Sequence, residues 1–217
     1  MVANSEIIAF LKSKSAGAGF VDTLKIRYRP LICPFGELFR FVQEGDKVCD
    51  IGCGSGQFSL LLAHFTPVKK ILGLEISERL VKNARSLFDA EKNPVENTFE
   101  VYDGKTFPDA LKEYDLLFLI DVLHHVPGEA QQDFLAAICE KMRPGAKLIF
   151  KDIDGGSPLV VFNKMHDLVF SREIGKERSV KRAASMAEKA GFKIISTFKR
   201  ITAVYPHYFL VLEKQTQ

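Results

Sequence analysis

The stretch Val48 to Gly56, "VCDIGCGSG", specifies the architecture, because it joins an apolar strand to a turn with three alternating glycines. Glycine loses more backbone entropy on folding than any other residue, so three of them in one turn need a physical reason. They permit left-handed backbone and let a ligand approach the main chain closely, and a helix that begins there adds free N–H donors. The stretch therefore predicts a strand, a ligand-binding turn and a helix.

The rest of the chain repeats this alternation of apolar strands and helices, which is typical of β-α units around a parallel sheet. The pattern predicts strands at 47–51, 70–75, 98–103, 114–121, 146–153, 192–199 and 207–214. It predicts helices at 57–65, 77–90, 129–142 and 180–190. The link between the last two strands is short, so they should pair antiparallel. We therefore expect an α/β fold with a seven-stranded, mostly parallel sheet, a C-terminal antiparallel hairpin and helices on both faces.

Two segments fall outside this core. Residues 1–45 are predicted to form an N-terminal helical cap, and residues 46–217 the binding domain, with a lid-like insertion at 155–176. We expect residues 1–30 and the insertion to close jointly over the bound molecules. Apolar residues at helical spacing in the insertion (Val161, Phe162, Met165, Leu168 and Val169) favour either a lid or a stripe packed into the core.

Composition and charge narrow the class of protein. The 217 residues carry a net charge of only +3, with 30 basic and 27 acidic side chains. No nucleic-acid partner is expected from so even a balance. No apolar run approaches a membrane span or a signal peptide, so a cytoplasmic protein is expected. The four cysteines match no zinc-ligand spacing and no disulfide framework, and no metal is expected.

The spacing of the glycines narrows the choice of ligand. Dinucleotide-binding turns have the pattern G-x-G-x-x-G, whereas Gly52, Gly54 and Gly56 make G-x-G-x-G. Asp50, just before the turn, is a poor neighbour for a pyrophosphate and suits a cationic group. Glu75 ends the next predicted strand, at the usual place for a carboxylate that accepts both hydroxyls of a ribose. The pattern therefore favours a ligand with a ribose and an ammonium or sulfonium group.

These motifs together resemble those of the class I S-adenosylmethionine-dependent methyltransferases that act on small molecules. The resemblance is carried by "VCDIGCGSG", Glu75, Asp103, "DVLHHVP" at 121–127 and "MRPGAKLIF" at 142–150, and it covers roughly residues 40–214. It implies a Rossmann-like fold, S-adenosylmethionine as the cofactor, and a small-molecule acceptor. The oligomeric state does not follow from it.

The resemblance also implies a set of cofactor-binding residues. Asp50 and Gly52, with Gly54, would surround the methionine end, and Gly56 would also belong to the cofactor-binding turn. Glu75 would hold the ribose diol, with Ile76 against the adenine. Asp103 would reach the adenine amino group, with Gly104 leaving it room, and Asp121 with Val122 would lie beside the methionine moiety. Each acidic residue can also be interpreted without a ligand: Asp50 as stabilising the turn, Glu75 as a solvated strand end, and Asp103-Gly104 as an ordinary turn signal.

The candidates for a catalytic proton acceptor are His124, His125 and Asp152, and the residues do not decide among them. One histidine of the pair is expected to be structural, and His207 and Tyr205 lie on the same predicted rim. The acceptor is expected to be a small molecule, with the apolar insertion favouring a hydrophobic or lipid-like one, and O-methylation is favoured over N- or C-methylation. Two alternatives stay open: a nicotinamide-dependent oxidoreductase, disfavoured by the glycine spacing, and a cofactor-binding module without catalysis that serves as a partner or sensor.

Overall fold

The computed structural model describes residues 2–14, 32–170 and 175–215. Their seven strands are β1 (Lys47–Ile51), β2 (Lys70–Glu75), β3 (Glu96–Val101), β4 (Leu116–Ile120), β5 (Lys147–Ile153), β6 (Phe192–Thr202) and β7 (Tyr205–Lys214). They form one sheet in the order β3-β2-β1-β4-β5-β7-β6. Strands β1 to β5 are parallel, and β7 lies antiparallel between β5 and β6. The sheet therefore reverses its strand order next to β1, where open α/β sheets bind their ligands.

Helices cover both faces of the sheet. In the described residues they are α1 (Asn4–Lys14), α2 (Phe35–Phe39), α3 (Gln57–Phe65), α4 (Glu78–Glu91), α5 (Gln131–Lys141), α6 (Val160–Phe170) and α7 (Val180–Lys189). One apolar core packs the helices α1, α2, α3 and α4 against one face of the sheet. A second apolar core packs α5 and α7 against the other face. Single 3₁₀ turns at Asp109–Glu113 and Leu123–His125 flank β4.

The predicted fold class is confirmed, and the elements differ from prediction mainly at their ends. Strand β4 stops at Ile120 because Asp121 takes a left-handed backbone, with φ of 55°. Ser77 is the N-cap of α4, and its side chain accepts a hydrogen bond from the amide of Leu80, as expected of a serine before an amphipathic stripe. Strand β6 runs on to Thr202, so the hairpin turn is tighter than predicted.

The N-terminal helix α1 lies away from the edge where the cofactor is expected. Its buried residues Ile7 and Leu11 join the core around α3. The Phe10 ring stacks on His64 near the end of α3, with 4.0 Å between centroids, and Lys14 pairs with Glu91 at the end of α4. Both helices start at the carboxyl edge of the sheet, so their last residues lie at the opposite edge. Phe10 and Lys14 therefore do not cover the site, and Ile7 and Leu11 are fixed in the core. Closure over the site by other parts of residues 1–30 stays a prediction.

The insertion contains α6, which exposes apolar side chains and buries polar ones, so the polarity of its two faces is inverted. Its apolar residues Val161, Phe162, Met165 and Leu168 are 42–61% exposed, whereas Asn163 and Asp167 are buried. Packing of this stripe into the core is therefore wrong for those four residues. A lid at 155–176 and the domain boundary at residue 45 stay predictions. Residues 15–30 of the segment that was predicted to close over the site lie outside the described residues.

Candidate functional site

The glycine turn has the geometry that its sequence predicts. Gly52, Gly54 and Gly56 have φ values of 75°, 56° and 77°, in the left-handed region that disfavours side chains. A Cβ atom on Gly52 would lie 2.4 Å from Cγ2 of Val122, and one on Gly56 would lie 2.9 Å from Cβ of Ala84. A Cβ atom on Gly54 would meet nothing within 4 Å. Packing thus requires the outer two glycines, and Gly54 faces the open side where a ligand would bind.

Two carboxylates flank this turn. Asp50 is buried within β1 and accepts a hydrogen bond from Oγ of Ser59 at 2.6 Å. Glu75 is 9% exposed, and its Oε2 accepts from the Gly54 amide at 3.0 Å. Its Oε1 accepts from the amides of Ile76 and Ser77 at 2.9 and 3.0 Å. Glu75 therefore shapes the glycine turn, and since each carboxylate oxygen has two lone pairs, it can still accept from a ligand hydroxyl.

The predicted adenine side of the site is apolar and open. Ile76 is 64% exposed although it follows a buried strand, and its Cγ2 lies 3.3 Å from where a Cβ on Gly104 would be. Oδ1 of Asp103 accepts from the amides of Lys105 and Thr106 at 2.8 and 2.6 Å. These two amide hydrogen bonds lower the pKa of Asp103. The turn interpretation of Asp103 therefore holds, and an adenine contact would have to use its other oxygen.

Asp121 and Lys151 form a buried ion pair at the end of β4. The Lys151 ammonium lies 2.5 and 2.6 Å from the two carboxylate oxygens of Asp121. The Lys151 side chain is fully buried, and that of Asp121 is 22% exposed. Burial alone would raise the pKa of Asp121, but the Lys151 charge outweighs it and lowers that pKa. Sequence reasoning missed Lys151, although a lysine inside the apolar strand "AKLIFKDI" was a visible signal.

The predicted candidates His124 and Asp152 contact each other on the opposite face of β5. Nδ1 of His124 lies 2.5 Å from Oδ1 of Asp152, and its Nε2 lies 3.7 Å from Oδ2 of Asp167. Burial would lower the pKa of His124, but the Asp152 carboxylate outweighs it and raises that pKa to about 9. His124 is therefore an imidazolium at neutral pH, and this state does not suit a proton acceptor. Its neighbour His125 is exposed, with 4.1 Å between the two ring centroids.

Polar residues that the sequence did not single out fix this loop. Gln131 donates from Nε2 to the carbonyl oxygens of Leu123, Val126 and Lys176 at 2.9–3.1 Å. Nε of Arg178 donates to Oε1 of Gln131 at 2.6 Å. Asp154, just after β5, accepts from Lys199 at 2.6 Å and from the Val180 amide at 3.2 Å, beside the start of α7. These contacts are structural, and they join the loop after β4 to the segment before α7.

Comparison with known proteins agrees with this geometry. Residues 42–171 match the profile of a family described as methyltransferase domain, which is more than half of the chain. The chain belongs to this family. S-adenosylmethionine is the cofactor that goes with it. The acidic, glycine-lined turn and the exposed Ile76 fit that cofactor, because they offer acceptors for ribose hydroxyls and an ammonium, and an apolar surface for adenine.

Individual relatives are distant. The chain is 29% identical over 113 residues to 27-O-demethylrifamycin SV methyltransferase of Amycolatopsis mediterranei, covering 51% of this chain and 40% of that protein. It is 27% identical over 111 residues to a ubiquinone biosynthesis O-methyltransferase of Coxiella burnetii, covering 51% and 45%. The chain therefore spans less than half the length of these curated relatives.

A solved structure shows the same fold over nearly the whole chain. It is magnesium protoporphyrin IX methyltransferase of Synechocystis PCC 6803 with bound SAH, with a TM-score of 0.70 and 20% identity over 98% of this chain and 96% of that one. Of the helices in the described ranges, none is both long and apolar enough to cross a bilayer. Within the same ranges, no three His, Cys, Asp or Glu side chains are grouped as metal ligands, and the absence of a metal stays a prediction.

Proposed function

We propose that the protein transfers a methyl group from S-adenosylmethionine to an oxygen atom of a small, largely apolar acceptor. The observation that carries this proposal is the open glycine turn between two carboxylates, Asp50 and Glu75, with the exposed Ile76 beside it. The names of two relatives, an O-demethylrifamycin methyltransferase and a ubiquinone biosynthesis O-methyltransferase, support oxygen as the acceptor atom.

The cofactor would supply a methyl group that is already activated by its sulfonium centre. The chain then has to bind and orient the two molecules and keep water away from them. Asp50, Gly52 and Gly54 would hold the methionine end, Glu75 the ribose hydroxyls, and Ile76 with Gly104 the adenine ring. Asp121 and Val122, next to Gly52, would border the acceptor. We propose that His124 and Asp152 fix the loop after β4 and take no proton from the acceptor.

The experiment is turnover with S-adenosylmethionine labelled in its methyl group, against a panel of phenols, alcohols, amines and carboxylic acids of graded size. The expected result is labelled product on oxygen, with larger apolar hydroxyl compounds preferred. Label that appears only on nitrogen or carbon would contradict the acceptor assignment. Calorimetric titration with NAD in parallel tests the cofactor, since preferential binding of NAD would contradict it.

A second candidate function is a cofactor-binding module without turnover. The observation that favours it is the pairing of His124 with Asp152, which removes the two buried candidates for a proton acceptor after β4 and β5. This candidate predicts that S-adenosylhomocysteine binds while no member of the panel is methylated. The labelled-methyl assay therefore separates the two functions.

A further inference from the structure

His207 lies on the face of the sheet that carries the Asp121–Lys151 pair. It is near the start of β7 and pairs with Ile153, the last residue of β5. Side chains alternate along a strand and directly paired residues share a face, so His207 lies on the same side as Lys151. Its side chain is buried, with 2% exposure of the residue. The imidazole therefore lies within the protein at the carboxyl edge where the acceptor would be held.

The contacts of His207 determine which of its nitrogens carries the proton. Its Nε2 lies 2.7 Å from the carbonyl oxygen of Ile32. A carbonyl only accepts hydrogen bonds, so Nε2 must be the donor. In the neutral ring Nδ1 then carries a lone pair and can only accept. The backbone of Ile32 thus selects one tautomer of His207.

Nδ1 of His207 is buried, and within residues 2–14, 32–170 and 175–215 it has no hydrogen-bond partner. Buried polar atoms nearly always have a partner, because an unpaired one costs the free energy of its lost hydration. The atom that would satisfy Nδ1 must be a donor, either O–H or N–H. An anionic oxygen cannot serve, since it has no proton to donate.

Neighbouring charges keep Nδ1 available as an acceptor. Burial and the Lys151 ammonium lower the pKa of His207 to about 3, although the Asp121 carboxylate acts in the opposite direction. The Tyr205 ring stacks beside it, with 6.5 Å between centroids. The imidazole is therefore neutral throughout the range in which enzymes work, and its lone pair is present at every such pH.

We propose that Nδ1 of His207 accepts a hydrogen bond from the neutral hydroxyl group of the methyl acceptor, with the Ile32 carbonyl fixing the tautomer that makes this possible. The proposal rests on oxygen methylation as the function and narrows its substrate class. It selects phenols and alcohols that bind with their proton, and it disfavours carboxylates and methyl ethers.

The test uses three probes with the same benzene ring on the whole protein saturated with S-adenosylhomocysteine: phenol, anisole and benzoate. Anisole keeps the ring and the oxygen of phenol but lacks the donor, and benzoate supplies an anion. Dissociation constants come from NMR titration of wild type, His207→Gln, His207→Phe and His64→Gln. Glutamine keeps a donor for the Ile32 carbonyl, phenylalanine keeps the ring shape, and His64 is an exposed residue at the end of α3.

Wild type and His64→Gln should bind phenol about tenfold more tightly than anisole or benzoate, the size expected of one hydrogen bond to a buried group. Both His207 variants should lower that ratio to about one, while their affinity for S-adenosylhomocysteine stays at the wild-type value and shows that they fold. A ratio that persists in both variants overturns the proposal. So does a wild type that fails to prefer phenol or binds none of the probes.

The outcome is distinguishable from failure of the proposed function. If the protein methylates nitrogen or carbon, the labelled-methyl assay shows it, whatever the phenol ratio is. If oxygen methylation is correct but His207 has no part in it, labelled ethers form and the phenol preference is the same in all four proteins.

Discussion

The two faces of β5 present opposite kinds of histidine at the same edge of the sheet. On one face Lys151 pairs with Asp121, and the nearby His207 is neutral, with an Nδ1 lone pair to which no described residue donates. On the other face Asp152 pairs with His124, which is protonated and has carboxylates at both ring nitrogens. We call these the Lys151 face and the Asp152 face. A single step along the strand, from a lysine to an aspartate, reverses the sign of the charge that each histidine meets.

The difference shows that nearness to the site does not identify a functional histidine. His124 follows β4 in a motif typical of small-molecule methyltransferases, but its proton is held by the Asp152 carboxylate. His207 comes from the terminal hairpin, where the sequence indicates a role in methyl transfer less directly than it does for His124. The charge and hydrogen bonds around each ring decide what it can do. The predictions below therefore change one face and use the other as its control.

The largest effect is expected from breaking the ion pair of the Lys151 face. Lys151→Met leaves the Asp121 carboxylate, whose side chain is 22% exposed, without its partner, which should lower the free energy of unfolding by roughly 3–5 kcal/mol. The double variant Asp121→Asn with Lys151→Met removes both charges of this pair and should recover most of that loss. Urea unfolding measures both. Equal destabilisation in the single and double variants would mean that lost packing, and not the unpaired charge, is responsible.

On the Asp152 face, the pairing of His124 with Asp152 should make the free energy of unfolding decrease as the pH rises above neutrality. The pKa of His124 is raised from 6.5 to about 9 on folding, so the folded protein binds this proton more tightly than the unfolded chain. The stabilisation is complete below pH 6.5 and is lost as the pH rises to about 9, in total roughly 3 kcal/mol. Denaturant unfolding between pH 6 and 10 should show this decline, and His124→Gln should remove it. An unchanged slope in that variant would place the titrating group elsewhere.

The glycine turn that would bind the cofactor should lose affinity for it when Glu75 is replaced. Glu75→Ala removes the acceptor for the ribose hydroxyls and for the Gly54 amide, so it should weaken S-adenosylhomocysteine binding by roughly 1–3 kcal/mol. The matched control is Glu78→Ala, because Glu78 is exposed and pairs with Lys82 at the start of α4. Calorimetry measures both affinities. Equal affinity in the two variants would show that Glu75 has no role in cofactor binding.

The smallest effect on stability is expected from the exposed side of α6, the helix whose Asp167 contacts His124 on the Asp152 face. Met165 is 61% exposed, so Met165→Ala should change the free energy of unfolding by less than about 0.5 kcal/mol. Leu135→Ala, in the buried core of α5, should cost roughly 2–5 kcal/mol. Thermal or urea unfolding compares them. A cost for Met165→Ala that approaches the value for Leu135→Ala would restore the core-packing interpretation of this stripe.

The sequence predicted the sheet, the glycine turn and the two carboxylates beside it, because these depend on local periodicity and on spacings within one β-α unit. Sequence reasoning missed the features that depend on contacts between residues far apart in the chain. Nothing near Asp121 in the sequence indicates that Lys151, thirty positions later, neutralises it. The inverted polarity of α6 depends on the long-range contact between Asp167 and His124. The packing of Phe10 and Lys14 of α1 against the ends of α3 and α4 likewise follows from the whole core and not from local sequence pattern.

The most direct measurement is the protonation state of both histidines in one nitrogen-15 NMR spectrum at pH 7, with assignments from His124→Gln and His207→Gln. The account predicts that His124 carries protons on both ring nitrogens and keeps them until the pH approaches about 9. It predicts that His207 carries one proton, on Nε2, with Nδ1 unprotonated down to acidic pH. A neutral His124, or a proton on Nδ1 of His207 at pH 7, would contradict the assignment of opposite roles to the two faces.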